Sequence, residues 1–349
     1  VYRPGVLERT AHALARELES GSFDGPLARV LARAHAAVAA RTLARPLRVP
    51  DGIATVAVGG ATLGGSGKTR VALACARALV TGGARVVLVG HGYRSRVRGP
   101  RVVDASATLA NVGDEALACA RTLAAFGDGG RVVVAGRRED AVEHACRVFS
   151  PEVVVIDGPL QLAPRRASLS LLAVDAHAPW GSGHVAPAGD LRASRSALLA
   201  HADLVVPVDA APRTVRVAGR VVPLAEVARM RTGLFTAIAR TERLERALAA
   251  SGVRPEVVVR IPDHGPLRAR ARGALAAARV DVWLATPKCA THLDAGACET
   301  ARVGVIDDDL ELGRDVLDAL GALVRARPGG GFIPHACLDP LRASALVSL

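Results

Sequence analysis

The sequence predicts an α/β fold: a mostly parallel sheet with helices on both faces, followed by a smaller C-terminal α/β domain. Two observations carry this. Short apolar, β-branched runs alternate with helical patterns from residue 51 onward, and such runs belong to strands buried on both faces. The chain of 349 residues is also long enough for about two domains at roughly 150 residues each, and its composition, 50% hydrophobic and 22% charged, argues against wholesale disorder.

The elements follow in order. Residues 1–50 are rich in Ala, Leu and Arg, and from Pro26 to Leu47 the pattern is helical: Leu27, Val30, Leu31, Ala34 and Val38 recur at steps of three and four, with Arg29, Arg33 and Arg41 between them. A basic amphipathic helix of this kind suits an anionic membrane surface; the alternative is a helix packed on its own domain with its arginines in water. Ile53–Val58 reads as a strand, then comes a Gly-rich loop and a helix from Gly67 to about Val80 that ends at Gly82-Gly83. Arg85–Val89, Arg131–Ala135, Glu152–Ile156, Leu169–Val174 and Leu204–Val208 read as further strands, with a helix over Glu139–Phe149. The composition shifts at the Pro-containing turn near Ala210–Arg213. Thr214–Pro223 then reads as a hairpin, Leu244–Ala250 as helix, Glu256–Ile261 as strand, Leu267–Arg279 as helix, Val280–Ala285 as strand and Leu310–Arg327 as helix. The expected division is therefore an N-terminal amphipathic segment (1–50), a phosphate-binding core (51–212) and a smaller α/β domain (213–349).

Composition narrows the function. Aromatics are only 3%, which disfavours a nucleic-acid binder built on stacked rings. The net charge of +12 favours acidic partners, but the arginines are dispersed rather than clustered, so no nucleic-acid partner is expected. No apolar run reaches the ~18 residues needed to span a bilayer. The six cysteines, Cys75, Cys119, Cys146, Cys289, Cys298 and Cys337, include no C-x-x-C pair and fit neither a zinc site nor a compact disulfide framework. No secretory signal is read at the start, so a reducing cytosol is the expected compartment. Of 45 basic Lys and Arg residues only Lys68 and Lys288 are lysine. In a chain that uses arginine wherever charge alone suffices, each lysine marks a position where arginine does not serve.

Lys68 stands in Thr62-Leu63-Gly64-Gly65-Ser66-Gly67-Lys68-Thr69, between a strand and a helix. This is a phosphate-binding loop (P-loop): glycines let backbone N–H groups turn onto phosphate oxygens, and the helix N-terminus adds positive potential. Thr62, Gly64, Gly65, Ser66, Gly67, Lys68 and Thr69 are the expected ATP contacts, with Lys68 on the β/γ-phosphates and the Thr69 hydroxyl on Mg²⁺. Asp157, after the apolar run Val153–Ile156 and before Gly158, is placed as the acid at a strand end that serves Mg²⁺ in P-loop proteins. Asp114 and Glu115 open an Ala/Leu-rich helix, where acids are favoured in any case. Asp263-His264 follows a strand of the second domain, where a His beside an Asp could help a general base.

Together these motifs resemble the tetraacyldisaccharide 4'-kinase family, the lipid A kinases of Gram-negative bacteria. The family's P-loop has the form T-x-G-G-x-G-K-T, as at Thr62–Thr69. Its G-Y stretch matches Gly92-Tyr93, its G-D-E stretch Gly113-Asp114-Glu115, and its D-D-G and L-Q stretches Ile156-Asp157-Gly158 and Leu160-Gln161. The run from Trp180 to His184 followed by Pro187–Arg192 resembles F-G-N-G followed by P-A-G-x-L-R, Asp263-His264 its D-H pair, and Thr286-Pro287-Lys288-Cys289 its T-E-K-D.

The resemblance spans about residues 25–310. It implies a P-loop core and a smaller domain with the active site between them, and transfer of the ATP γ-phosphoryl group to the 4'-hydroxyl of tetraacyldisaccharide 1-phosphate at the cytoplasmic face of the inner membrane. It further implies Asp114 as base, supported by His264, with Lys68 on the phosphates and Thr69, Glu115 and Asp157 on the metal. Departures from the pattern are Ile156 for the first Asp of D-D-G, Leu162 for a His, Gly90-His91 for S-R, Pro287 and Cys289 in T-E-K-D, and Ala237-Ile238-Ala239 for G-I-G. They leave two other readings, a kinase acting on a modified acceptor and a non-catalytic nucleotide-binding paralogue. If the missing acid limits Mg²⁺ handling, Ile156→Asp is expected to raise activity.

Overall fold

The computed structural model describes residues 17–18, 20–21, 25–92, 95–209, 211–293, 302–307 and 310–325. A seven-stranded sheet forms its first core, in the spatial order 101–102, 130–135, 86–91, 153–157, 54–60, 169–175, 204–208. All neighbours are parallel except the short edge pair formed by Arg101–Val102.

Strict side-chain alternation explains the strands' composition. Val56, Val58, Leu88, Val132, Val134, Val153 and Val155 face one helix layer, which includes Lys68–Thr81 and Asp114–Ala124. Ala57, Val87, Val89, Val133, Val154 and Ile156 face the other, which includes Arg138–Phe149. With both faces covered, the strands have no polar side and read as continuous apolar runs.

A six-stranded sheet forms the second unit, in the order 220–223, 214–217, 302–307, 282–285, 232–236, 257–260. Thr214–Val217 and Arg220–Pro223 pair as the expected hairpin, and the remaining neighbours from Arg302–Asp307 outward are parallel. The helix Arg314–Arg325 falls within the stretch 213–349 allotted by composition to the second domain, yet its Val316 and Leu320 are buried in the core of the first, against the P-loop helix. Its strongly one-sided apolar face needs a partner, and the first sheet's helix layer supplies one.

The N-terminal helix runs Pro26–Thr42. It is anchored through Ala32 and Ala39, while Leu27, Val30, Leu31 and Val38 remain exposed, Leu27 at 73%. The small residues face the protein and the large apolar ones face outward, the reverse of an ordinary surface helix. Among the described residues no helix is long and apolar enough to cross a membrane.

Candidate active site

The P-loop leaves the carboxyl end of the strand Ala54–Gly60, and Asp157 ends the adjacent parallel strand Val153–Asp157, in register with Val58. Ligands of open α/β sheets bind at this edge, where the chain turns to opposite sides of the sheet. Lys68 begins the helix Lys68–Thr81, directly after Gly67. Gly65 has φ +70°, and a Cβ there would lie 2.7 Å from Cδ of Arg240, so the loop needs glycine both for its conformation and for the side chain laid against it.

The loop's backbone is tied down from several directions. Thr62 Oγ1 donates to the Gly64 carbonyl at 2.7 Å, Arg192 Nε donates to the Thr62 carbonyl at 2.7 Å, and the Leu63 N–H donates to the Asp190 carbonyl at 2.8 Å. Asp190 also accepts from Arg240 Nη2 at 2.8 Å, a pair buried between the two units. Sequence reasoning gave Thr62 a phosphate role; here it is buried and its hydroxyl is spent on the loop's own shape. Ser66 is likewise buried.

Thr69 Oγ1 donates to Asp157 Oδ2 at 2.7 Å. The other carboxylate oxygen of Asp157, Oδ1, is buried and has no hydrogen-bond partner among the described residues. A buried carboxylate oxygen without a donor is costly unless a cation completes it. Glu115 and Asp157 line one small cleft together with Thr69, His91 and Cys119. A hard divalent cation takes hydroxyl and carboxylate oxygens of this type, so Thr69, Asp157 and Glu115 fit Mg²⁺. Ile156, by contrast, is fully buried in the apolar layer beneath the helix Arg138–Phe149. Alternation turns its side chain away from the face that carries Asp157, so an acid at position 156 would not join the cleft.

A second cluster adjoins this cleft and is assembled from both units. Gly113 (φ +86°, ψ +163°) breaks the chain between two helices in a conformation essentially restricted to glycine, and thereby sets Asp114 at the first position of Asp114–Ala124. His264 lies in the turn Pro262–Gly265 with φ +56°, an uncommon conformation outside glycine. Its Nδ1 donates to Asp114 Oδ1 at 2.7 Å. The Glu115 N–H donates to the same oxygen at 2.8 Å.

His292 Nε2 reaches Asp114 Oδ2 at 3.1 Å, and Lys288 Nζ lies 3.8 Å from that oxygen. Lys288 Nζ also donates to Asp263 Oδ1 at 2.6 Å and to His264 Nε2 at 3.2 Å, and it lies 3.7 Å from Glu115 Oε1. Adjacent acids thus serve different ends: Asp114 faces the histidines, while Glu115 borders both the histidine cluster and the metal cleft.

Electrostatics follow from this geometry. Burial alone would raise the Asp114 carboxyl, but the hydrogen bonds of His264 and His292 and the charge of Lys288 outweigh it and hold it well below the usual carboxylate range. Burial would lower Lys288, but Asp263, Asp114 and Glu115 outweigh it and hold the ammonium above its ordinary value. Lysine suits this place because a compact ammonium can face several acceptors in different directions, whereas a planar guanidinium cannot.

Cys289, Leu162 and Pro287 have structural places, while Gly90-His91 borders the cleft. Cys289 is buried and its Sγ accepts the Ala237 N–H at 3.2 Å, with burial pushing the thiol up. Leu162 is buried in the apolar layer, and Pro287 begins the short helix Pro287–Ala290, which Thr286 caps. Tyr93, Cys298 and Cys337 lie outside the described residues. Sequence reasoning missed His292, Asp190, Arg192 and Arg240 as parts of the site. One signal for His292 was available: it stands four residues after Lys288, the spacing that brings two side chains to one side of a helical turn.

Comparison with known proteins bears on the family and the fold. The family model described as tetraacyldisaccharide-1-P 4'-kinase (LpxK) matches residues 25–322. A tetraacyldisaccharide 4'-kinase of Methylobacterium radiotolerans is 35% identical over 319 residues, 85% of this chain and 94% of that one. Its counterpart in Gluconacetobacter diazotrophicus is 35% identical over 78% of this chain and 87% of that one. The crystal structure of the "apo" form of LpxK from Aquifex aeolicus in complex with ATP superimposes with a TM-score of 0.65 over 91% of this chain and 100% of that one; at 17% identity it bears on the fold, which it shares. A P-loop joined to a two-domain acid–histidine cluster, together with a match over nearly the whole described chain, places this protein in the tetraacyldisaccharide 4'-kinase family.

Proposed function

We propose that the protein transfers the γ-phosphoryl group of ATP to the 4'-hydroxyl of tetraacyldisaccharide 1-phosphate, working as a peripheral protein at the cytoplasmic face of the inner membrane. The observation that carries this reading is the joining, through the neighbours Asp114 and Glu115, of a phosphate- and metal-binding cleft to a proton-accepting cluster. A sugar hydroxyl is a poor nucleophile and needs both.

Lys68 and the loop's N–H groups bind the phosphates, and Lys68 neutralises charge that develops on them. Thr69, Asp157 and Glu115 would hold Mg²⁺, which when bound supplies charge neutralisation at the phosphates. The hydroxyl proton passes to the Asp114–His264 pair. Sequence reasoning set Asp114 against the hydroxyl with His264 behind it. Burial favours the opposite order, because His264 keeps 13% side-chain exposure and Asp114 only 3%. With Nδ1–H committed to Asp114, Nε2 of His264 takes the proton once Lys288 Nζ, 3.2 Å away, gives up its bond there and keeps the one to Asp263, and Asp114 stabilises the imidazolium that forms.

The exposed Leu27, Val30, Leu31 and Val38 beside Arg29, Arg33 and Arg41 support seating on an anionic lipid surface, where the acceptor resides.

The test is transfer of ³²P from labelled ATP to purified tetraacyldisaccharide 1-phosphate in detergent with Mg²⁺, beside Lys68→Ala. Labelled bisphosphorylated lipid is expected from the wild type. The variant should lose at least about a hundredfold in rate while keeping its fold. Absence of transfer by a folded, ATP-binding wild type would overturn the reading.

A further inference from the structure

Three side chains of the second domain converge on Asp114. His264 has a role in the reading above, and Lys288 ties it to Asp263; His292 does neither. Its ring is buried, with Nε2 at 3.1 Å from Asp114 Oδ2. On another side it packs against Phe235, with ring centroids 6.3 Å apart and planes tilted by 53°. Its Nδ1 is buried and has no hydrogen-bond partner among the described residues.

A neutral imidazole carries one donor and one acceptor nitrogen. A proton on Nδ1 would be a buried donor with nothing to receive it, so the tautomer that fits has the proton on Nε2, aimed at the carboxylate. Leucine would fill the space against Phe235 and leave no polar atom stranded. Histidine's advantage at this position is its one bond to Asp114.

The local backbone is built to deliver that bond. Thr286 Oγ1 accepts the Cys289 N–H at 3.2 Å, and the His292 N–H donates to the Cys289 carbonyl at 3.0 Å. The single turn so formed presents Lys288 and His292 together to the same carboxylate oxygen, Oδ2.

We infer that His292 is a positioning residue for phosphoryl transfer: by holding Oδ2 it fixes the rotation of the Asp114 carboxylate, so that Oδ1 stays aligned with His264 Nδ1. This rests on the reading of Asp114 and His264 as the proton-accepting pair. His292 acts through Asp114, so its effect belongs in kcat and not in the binding of either substrate.

The experiment compares wild type, His292→Leu and His292→Gln as full-length proteins, measuring kcat, KM for ATP and for tetraacyldisaccharide 1-phosphate, and Tm. The imidazole nitrogens of the ¹⁵N-histidine-labelled wild type and Asp114→Asn are recorded beside them. His292→Leu should lose roughly ten- to hundredfold in kcat, the span of a hydrogen bond to a charged group. Both KM values should stay within about twofold. Glutamine, whose amide can donate to the same oxygen, should restore most of the rate. The spectra should show His292 protonated on Nε2, with a resonance that moves in Asp114→Asn.

A His292→Leu protein with wild-type kcat would overturn the inference, as would a loss in kcat matched by falls in Tm and rises in both KM values. If leucine prevents folding, failure of glutamine to restore the rate, or a His292 proton on Nδ1, has the same force. A wild type that transfers no phosphate to the lipid would remove the functional reading, while the imidazole spectra would still decide whether His292 holds Asp114.

Discussion

Ile156 stands where the family pattern has an acid, and replacing it with aspartate separates two accounts of the site. If the side chain faced the metal cleft, Ile156→Asp would add a ligand and raise activity. The structure puts it fully buried among Val87, Val89, Val133, Ala141 and Val154, all apolar. Exchanging the buried isoleucine forfeits about 1.5–3 kcal/mol of apolar burial. The carboxyl finds no donor in that layer and must be protonated to remain there. At pH 7, starting from an ordinary value near 4, protonation costs about 4 kcal/mol.

Together these approach roughly 6 kcal/mol, comparable with the whole stability of an ordinary domain at about 5–15 kcal/mol. The introduced group's folded-state pKa is raised, so the protonation cost is absent below about pH 4 and grows as pH rises from there toward the folded value. Urea unfolding of wild type and variant at pH 7 and pH 4 measures both quantities. The gap should be large at pH 7 and shrink to the burial part near pH 4, with Ile156→Val close to wild type throughout. An aspartate variant as stable as wild type at pH 7, with faster phosphoryl transfer, would refute the assignment of this side chain to the apolar layer.

Two further outcomes are expected. Asp114→Asn should destabilise the folded protein by about 3 kcal/mol at pH 7, the low end for a broken buried pair because Lys288 keeps Asp263. The Asp114 carboxyl is depressed in the folded state, so its contribution is present above about pH 4 and is lost as pH falls toward the folded value; urea unfolding should show the wild-type advantage narrowing below pH 4. Replacing Leu27 and Leu31 with Asp should abolish co-sedimentation with anionic phospholipid vesicles while leaving transfer to detergent-dispersed lipid intact; unchanged co-sedimentation would remove the N-terminal helix from membrane binding.

Much of this molecule is written locally. The P-loop, the alternating strands, the Thr214–Pro223 hairpin and the acids at strand and helix starts follow from spacing, because glycine conformation, side-chain alternation and helix-terminal potential act within a few residues. The pairing of Thr69 with Asp157 was legible for the same reason, since both sit at the ends of elements whose direction the pattern reveals.

Other features depend on what the fold sets opposite what. Whether position 156 faces metal or helix is a matter of which sheet face each layer covers, and the motif alignment misread it. The N-terminal pattern fits a buried or an exposed apolar face equally well; only packing through Ala32 and Ala39 leaves Leu27 and Leu31 outward. The return of the helix Arg314–Arg325 to the first core, and the meeting of His292 with Asp114 across 178 positions of sequence, are contacts between distant segments. Short-range propensity determines which elements form and where their special residues stand. The closure of two separate cores against each other decides which acid is buried and which histidines hold it.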